Sequence, residues 1–162
     1  MSIEVAVASP ERAATHLDRL YRLALSLCGS RHLAEDLVQE AYARMLARPR
    51  RLRGAEEFPY LARIVRNLLY DHHHRSRRIV LSDPPPEDQW PAGDESDPET
   101  SARTRELFAL VGALPPGQRD AVAAVDVAGL TYRQAARALG VPIGTVMSRL
   151  ARGRTRLARE LG

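Results

Sequence analysis

The sequence predicts an all-α protein in which two small helical domains are joined by a flexible acidic linker. Three observations carry that prediction. Apolar residues recur at spacings of three and four through most of the chain, the period of a helix that buries one face. No alternation of apolar and polar residues is long enough to make a strand. Between residues 79 and 101 the helical pattern stops, where five prolines and seven acids occur without one basic residue. These boundaries give a first domain over 9–78, the linker over 79–101 and a second domain over 102–162.

Charge follows the same division. Residues 1–78 hold 14 arginines against 9 acids, and residues 102–162 hold 10 against 4. Two basic lobes around an acidic strip point to polyanion contacts at both ends. All 24 basic residues are arginine, whose planar fork suits phosphate and guanine, although codon bias in a GC-rich genome explains so complete an absence of lysine more simply. Aromatic content of 5% favours small cores of Leu, Ala and Val over one large core. The single Cys28 rules out an intramolecular disulfide framework and reads as a half-buried filler. No signal-peptide pattern opens the chain, and no apolar run approaches the ~20 residues of a membrane span. The expectation is a soluble, cytoplasmic protein with no further domain after Gly162.

The first helix is predicted from a Ser9-Pro10-Glu11 start through Leu17, Leu20, Tyr21, Ala24 and Leu27 to a stop at Gly29. Ser30 caps a second, from about His32 to Ala47, with Ala34, Leu37, Val38, Ala41 and Met45 inward. Its other side carries Glu35, Asp36, Gln39 and Glu40, either a solvated face or a docking surface for a basic partner; spacing alone favours the first. A third helix begins near Phe58-Pro59 and buries Leu61, Ile64, Val65 and Leu68. Arg63, Arg66, Tyr70, His73, His74 and Arg77, with Asn67 and Asp71, gather on another face. Such interleaving suits a nucleic-acid strand as well as it suits plain solvent. His72-His73-His74 does not make a metal site, because successive helical residues point about 100° apart. Trp90 in the linker either anchors it on a partner or has no role.

In the second domain, Pro98 opens a helix running to Leu114, and Pro115-Pro116-Gly117 turns the chain. A helix over 118–128 follows, closed by Gly129. Thr131 and Gln134 then form a T-x-x-Q capping box, Gly140 ends a short helix, and Ile143, Val146 and Leu150 begin another that continues to about Glu160. Two short helices so joined fit a helix-turn-helix, whose second helix enters the DNA major groove.

Both lobes together resemble the extracytoplasmic-function (ECF) sigma factors, the two-domain minimal class of bacterial promoter-recognition subunits. Ala34-Glu35-Asp36-Leu37-Val38-Gln39-Glu40 looks like their region 2 motif, and Phe58-Pro59-Tyr60-Leu61-Ala62-Arg63-Ile64-Val65-Arg66-Asn67 with Asp71 resembles the block after it. Leu114-Pro115 and Gly144-Thr145-Val146-Met147-Ser148-Arg149-Leu150 match the region 4 pattern.

The resemblance implies roles that the residues alone do not fix. Asp36 and Gln39, with Glu35 and Glu40 beside them, would dock on the β′ clamp helices of core RNA polymerase, and the chain would also meet the β flap. Asn67 would capture a base flipped from the −10 non-template strand, with Arg63 and Arg66 on its backbone and Tyr70 and Arg77 extending the contact. Thr145, Met147, Ser148, Arg149, Arg152 and Arg154 would read the −35 duplex. The linker would thread the polymerase's nucleic-acid channel. An anti-sigma factor is the implied regulator, and no cofactor, metal or catalysis is expected.

Departures from the family pattern fall at Tyr60 for tryptophan, Met147 for a basic residue, and Gln134-Ala135-Ala136 for Glu-Ile-Ala. Gly153 for alanine predicts a bend or fraying of the recognition helix. Three rival readings are an ordinary dimeric helix-turn-helix regulator, a metal enzyme built on Asp36, Asp71 and the histidines, and a polymerase-binding decoy.

Overall fold

The computed structural model describes residues 15–48, 52, 54–79 and 98–162, with side chains through 75 and again from 102. The Ser9-Pro10-Glu11 start, most of the 79–101 linker with Trp90, and the side chain of Arg77 lie outside the described residues. Within them the order is α1 (Leu17–Cys28), α2 (Arg31–Ala47), α3 (Gly54–Ile79), α4 (Pro98–Gly112), α5 (Pro116–Val122), a π turn (Ala123–Val127), α6 (Tyr132–Leu139) and α7 (Ile143–Leu161).

Local chemistry sets most of the ends. Gly29 closes α1 at φ 69°, a left-handed conformation that glycine adopts without Cβ strain. Ser30 Oγ accepts from the Leu33 amide at 3.2 Å and caps α2. The capping box of α6 is complete: Thr131 Oγ1 accepts from the Gln134 amide at 3.2 Å, and the Thr131 amide donates to Gln134 Oε1 at 3.0 Å. The α3 helix starts at Gly54, four residues before the Phe58-Pro59 start expected from sequence. Pro59 therefore lies inside the helix, where its missing N–H leaves the Ala55 carbonyl without an intrahelical partner. That carbonyl accepts instead from Gln134 Nε2 of α6 at 3.4 Å.

Helices α1, α2 and α3 pack on one another, and α5, α6 and α7 form the helix-turn-helix lobe. The two lobes do not stand apart. One buried cluster runs from Leu20, Leu37, Met45, Leu61 and Leu69 of the first lobe into Ala123, Ala128, Leu130, Ala135 and Leu139 of the second. A smaller core of Val111, Leu114, Ala121, Val122 and Leu150 ties α4, α5 and α7 together. The expectation of separate small cores is corrected accordingly: alanines in the second lobe let its backbone come close enough to share the first lobe's core.

The π turn also serves the contact between lobes. The Ala128 amide reaches back five residues to the Ala123 carbonyl at 2.9 Å. The Ala128 carbonyl then accepts from Arg19 Nη2 at 2.6 Å and Nε at 3.2 Å, and the same guanidinium stacks 3.9 Å over the Phe58 ring. Helix α7 continues past Gly153 to Leu161, so the fraying expected there from sequence does not occur. The glycine is buried against α5, where a Cβ would lie 2.8 Å from Val122 Cγ2. No helix among the described residues is long and apolar enough to cross a membrane.

Candidate nucleic-acid interface

Three surfaces hold the residues singled out from sequence. On α2, Asp36 and Gln39 are exposed and make no ion pair among the described residues, while their neighbours are engaged. Glu35 pairs with Arg31 at 3.4 Å and Glu40 with Arg44 at 3.0 Å, both in exposed i, i+4 geometry worth a few tenths of a kcal/mol. Asp36 and Gln39 thus remain available as an acidic and amide pair on a face braced by ion pairs.

The second surface is the outer side of α3. Arg63 and Asn67 are exposed one turn apart. Arg66 Nη1 donates to Asn67 Oδ1 at 3.3 Å, and the Arg66 guanidinium lies 4.3 Å over the Tyr70 ring. Arg66 Nε is buried without a hydrogen-bond partner among the described residues, an unspent donor within this group. Asn67 also borders a cleft of about 350 Å³, lined besides by Arg44, Ala47, Arg48, Tyr60 and Ile64. Arg44 and Arg48 come from the end of α2, and sequence reasoning missed them because the cleft joins residues about twenty positions apart.

Tyr70 is turned differently from its neighbours. Its hydroxyl donates to Asp120 Oδ2 of α5 at 2.7 Å. Burial and the hydrogen bond to the Asp120 carboxylate both raise its pKa above the usual 10. Asp120 is buried and is held on its other oxygen by Arg119 Nε and Nη2, at 3.2 and 3.1 Å. An acid beside an arginine on a short helix reads as solvated in the sequence, so nothing there marked Asp120.

The third surface is α7. Met147 is 50% exposed, Ser148 and Arg152 are exposed, and Thr145 is half-buried with its carbonyl accepting from Ser148 Oγ at 3.2 Å. Of the two remaining arginines named for this surface, Arg149 packs against α5 and Arg154 is ion-paired within the lobe. Arg149 lies along the start of α5, its Nε 3.1 Å from where a Gly117 Cβ would stand. Arg154 grips Asp126 through both oxygens, at 2.7 and 3.0 Å, and that carboxylate lifts the guanidinium pKa further. His72, His73 and His74 are exposed, and no group of three potential ligands among the described residues could hold a metal ion.

Comparisons with known proteins bear on these surfaces. Residues 13–79 match the Sigma-70 region 2 family and residues 104–157 the Sigma-70 region 4 family. The chain is 38% identical over 146 residues to the ECF RNA polymerase sigma factor SigE of Mycolicibacterium smegmatis, aligning 88% of itself with 57% of that protein. It therefore spans little more than half of that relative's length. It is 39% identical over 157 residues to the ECF sigma factor SigM of Mycobacterium tuberculosis, covering 91% of this chain and 74% of the relative. Among solved structures, it resembles the sigma factor RpoE of Bartonella quintana in complex with the anti-sigma factor NepR. The TM-score is 0.74 at 26% identity, over 93% of this chain and 94% of the other. With both family matches falling on the two helical lobes, and SigM matched along most of its length, the chain belongs to the ECF sigma factors of the sigma-70 family.

Proposed function

We propose that this chain joins core RNA polymerase and directs promoter-specific initiation, reading the −35 element as duplex with its second lobe and trapping the melted −10 strand with its first. It is an initiation factor and not an enzyme: polymerase performs the phosphoryl transfer, in the cytoplasm. Asp36 and Gln39 dock on the β′ clamp helices, with Glu35 and Glu40 completing the face, and the second lobe meets the β flap. An anti-sigma factor is the regulator proposed for it, by likeness to the RpoE neighbour held with NepR.

The α3 surface is the observation that carries this reading. Asn67 stands at the lip of a cleft of about 350 Å³, within the 300–1,000 Å³ typical of small-ligand sites, with Arg63 and Arg66 beside it. Extruding a base costs a few kcal/mol of unstacking, which a pocket and flanking arginines can offset. On α7, Thr145, Met147, Ser148 and Arg152 face the major groove. Arg149 lies against the start of α5, and Arg154 reaches DNA only by leaving Asp126.

The test is Asn67→Ala in holoenzyme, followed by permanganate footprinting of the melted region together with duplex binding. The variant is expected to lose thymine reactivity around −10 while retaining duplex affinity. An unchanged footprint would show that Asn67 captures no base.

A further inference from the structure

The outward side of α7 carries two unlike rows. Ile143, Met147 and Ala151 recur every four residues and are exposed, and so are Gly144, Ser148 and Arg152, each one position on. Helical period sets each row along one line of the helix. Ile143 is 47% and Met147 50% exposed, among the most open large apolar side chains of the described residues. Val146 and Leu150 of the same turns are buried, so the core takes its apolar contacts from α7 without the Ile143–Met147–Ala151 row.

The polar row has few hydrogen-bond donors left for a base edge. Ser148 Oγ donates its one proton to the Thr145 carbonyl at 3.2 Å, and Thr155 Oγ1 donates to the Ala151 carbonyl at 2.9 Å. Gly144 has no side chain, and Arg154 is held by Asp126. Among the described residues of this face, Arg152 is the charged donor that remains. The apolar group that a duplex presents in its major groove is the C5 methyl of thymine.

The surroundings favour nucleic acid over an apolar protein patch. From Val127 to Arg159 the chain holds seven arginines and no acid, and Arg133 and Arg137 on α6 are exposed. An apolar row set in so cationic a surface suits a polyanion that carries methyl groups inside its groove. Ile143 and Met147 stand about 6 Å apart along the axis, and Ile143 and Ala151 about 12 Å. These lengths match roughly two and three to four base-pair steps at 3.4 Å each.

We infer that Ile143 and Met147, with Ala151 beyond them, select thymine in the −35 element by closing over C5 methyl groups on neighbouring base pairs. Arg152 holds the flanking phosphate. A G·C pair in those places presents a cytosine amino group and no methyl, and neither side chain can replace the water that the amino group loses. The assignment rests on the proposed −35 role of α7 and names the base chemistry that this helix distinguishes.

The experiment uses the full chain assembled with core polymerase. Promoter templates carry a randomised −35 region ahead of a −10 sequence taken from a transcript that the holoenzyme makes. The −35 sequence it selects is rebuilt with each thymine, on either strand, replaced singly by deoxyuridine, which lacks the C5 methyl and keeps every hydrogen-bonding group. Holoenzyme affinity is expected to fall about fourfold at each of roughly two or three neighbouring thymines, the scale of one buried CH2 group. Met147→Ala should lower affinity for the unmodified promoter by a similar factor and erase the thymine–deoxyuridine difference at one position. Ile143→Ala should erase it at a neighbouring one, and Arg152→Ala should weaken binding while keeping both differences. Deoxyuridine tolerated at every −35 position, or undiminished methyl discrimination in both apolar variants, overturns the inference. So does a loss of core-polymerase binding in those variants with methyl discrimination retained, which would give the apolar row to a protein partner. A holoenzyme that selects no −35 sequence contradicts the −35 reading of α7 itself, and the inference falls with it.

Discussion

Gly153 of α7 lies so close to Val122 of α5 that a Cβ there would stand 2.8 Å from the valine Cγ2, with the Gln118 carbonyl 3.4 Å away on the same side. The glycine is thus a packing requirement at a helix crossing. Gly153→Ala should destabilise the second lobe by about 1–3 kcal/mol through overpacking, outweighing the 0.5–1 kcal/mol that alanine contributes inside a helix. Urea denaturation of the single variant checks this. Pairing it with Val122→Ala should recover part of the loss, because the smaller side chain reopens the space.

Arg152 and Arg154 sit on the same helix but should behave differently toward DNA. Arg152 is exposed and makes no ion pair among the described residues, whereas Arg154 is bound to both Asp126 oxygens. Replacing Arg152 by alanine should reduce the salt dependence of −35 duplex binding by about 0.9 in log K against log salt, the value of one lost phosphate contact. Arg154→Ala should leave that slope unchanged and lower the melting temperature instead. Equal slope changes in the two variants would place Arg154 on the phosphates.

Stability should depend on pH through His16. The imidazole packs 5.5 Å from the Phe58 ring. Burial lowers its pKa below 6.5, Arg19 lowers it further, and Glu57 opposes both. A depressed value favours the neutral ring in the folded chain, so its contribution to stability is present above pH 6.5 and is lost as pH falls through the lowered value. Denaturation midpoints measured from pH 7 to pH 5 should therefore drop, and His16→Gln should flatten that part of the profile.

Features set by neighbours in sequence were readable before any coordinates. The Ser30 cap, the Thr131–Gln134 box and the stops at Gly29, Gly129 and Gly140 each depend on a few consecutive residues, and all five are present. The inward stripe of α2 was equally plain, since helical period alone orders Ala34, Leu37, Val38, Ala41 and Met45. What sequence did not show was distant partnership. Propensity alone read Gly153 as a weak point, because the valine it accommodates lies 31 residues earlier. An arginine-rich helix offered Arg154 as a DNA contact without showing its ion pair to Asp126, 28 residues earlier. Pro59 looked like a helix start, and only the fold shows that it frees the Ala55 carbonyl for Gln134. Asp120 was invisible for the same reason: its importance is the Tyr70 hydroxyl, fifty residues away.

The central claim is that this chain confers promoter recognition on polymerase. The most direct measurement adds the purified chain to sigma-free core enzyme and sequences the transcripts made from a genomic promoter library. Transcripts should start from a discrete set of promoters that share one −35 and one −10 sequence, absent without the chain and reduced by Asn67→Ala. Binding to core enzyme with no promoter-specific transcript would contradict it and leave a polymerase-binding decoy as the better description.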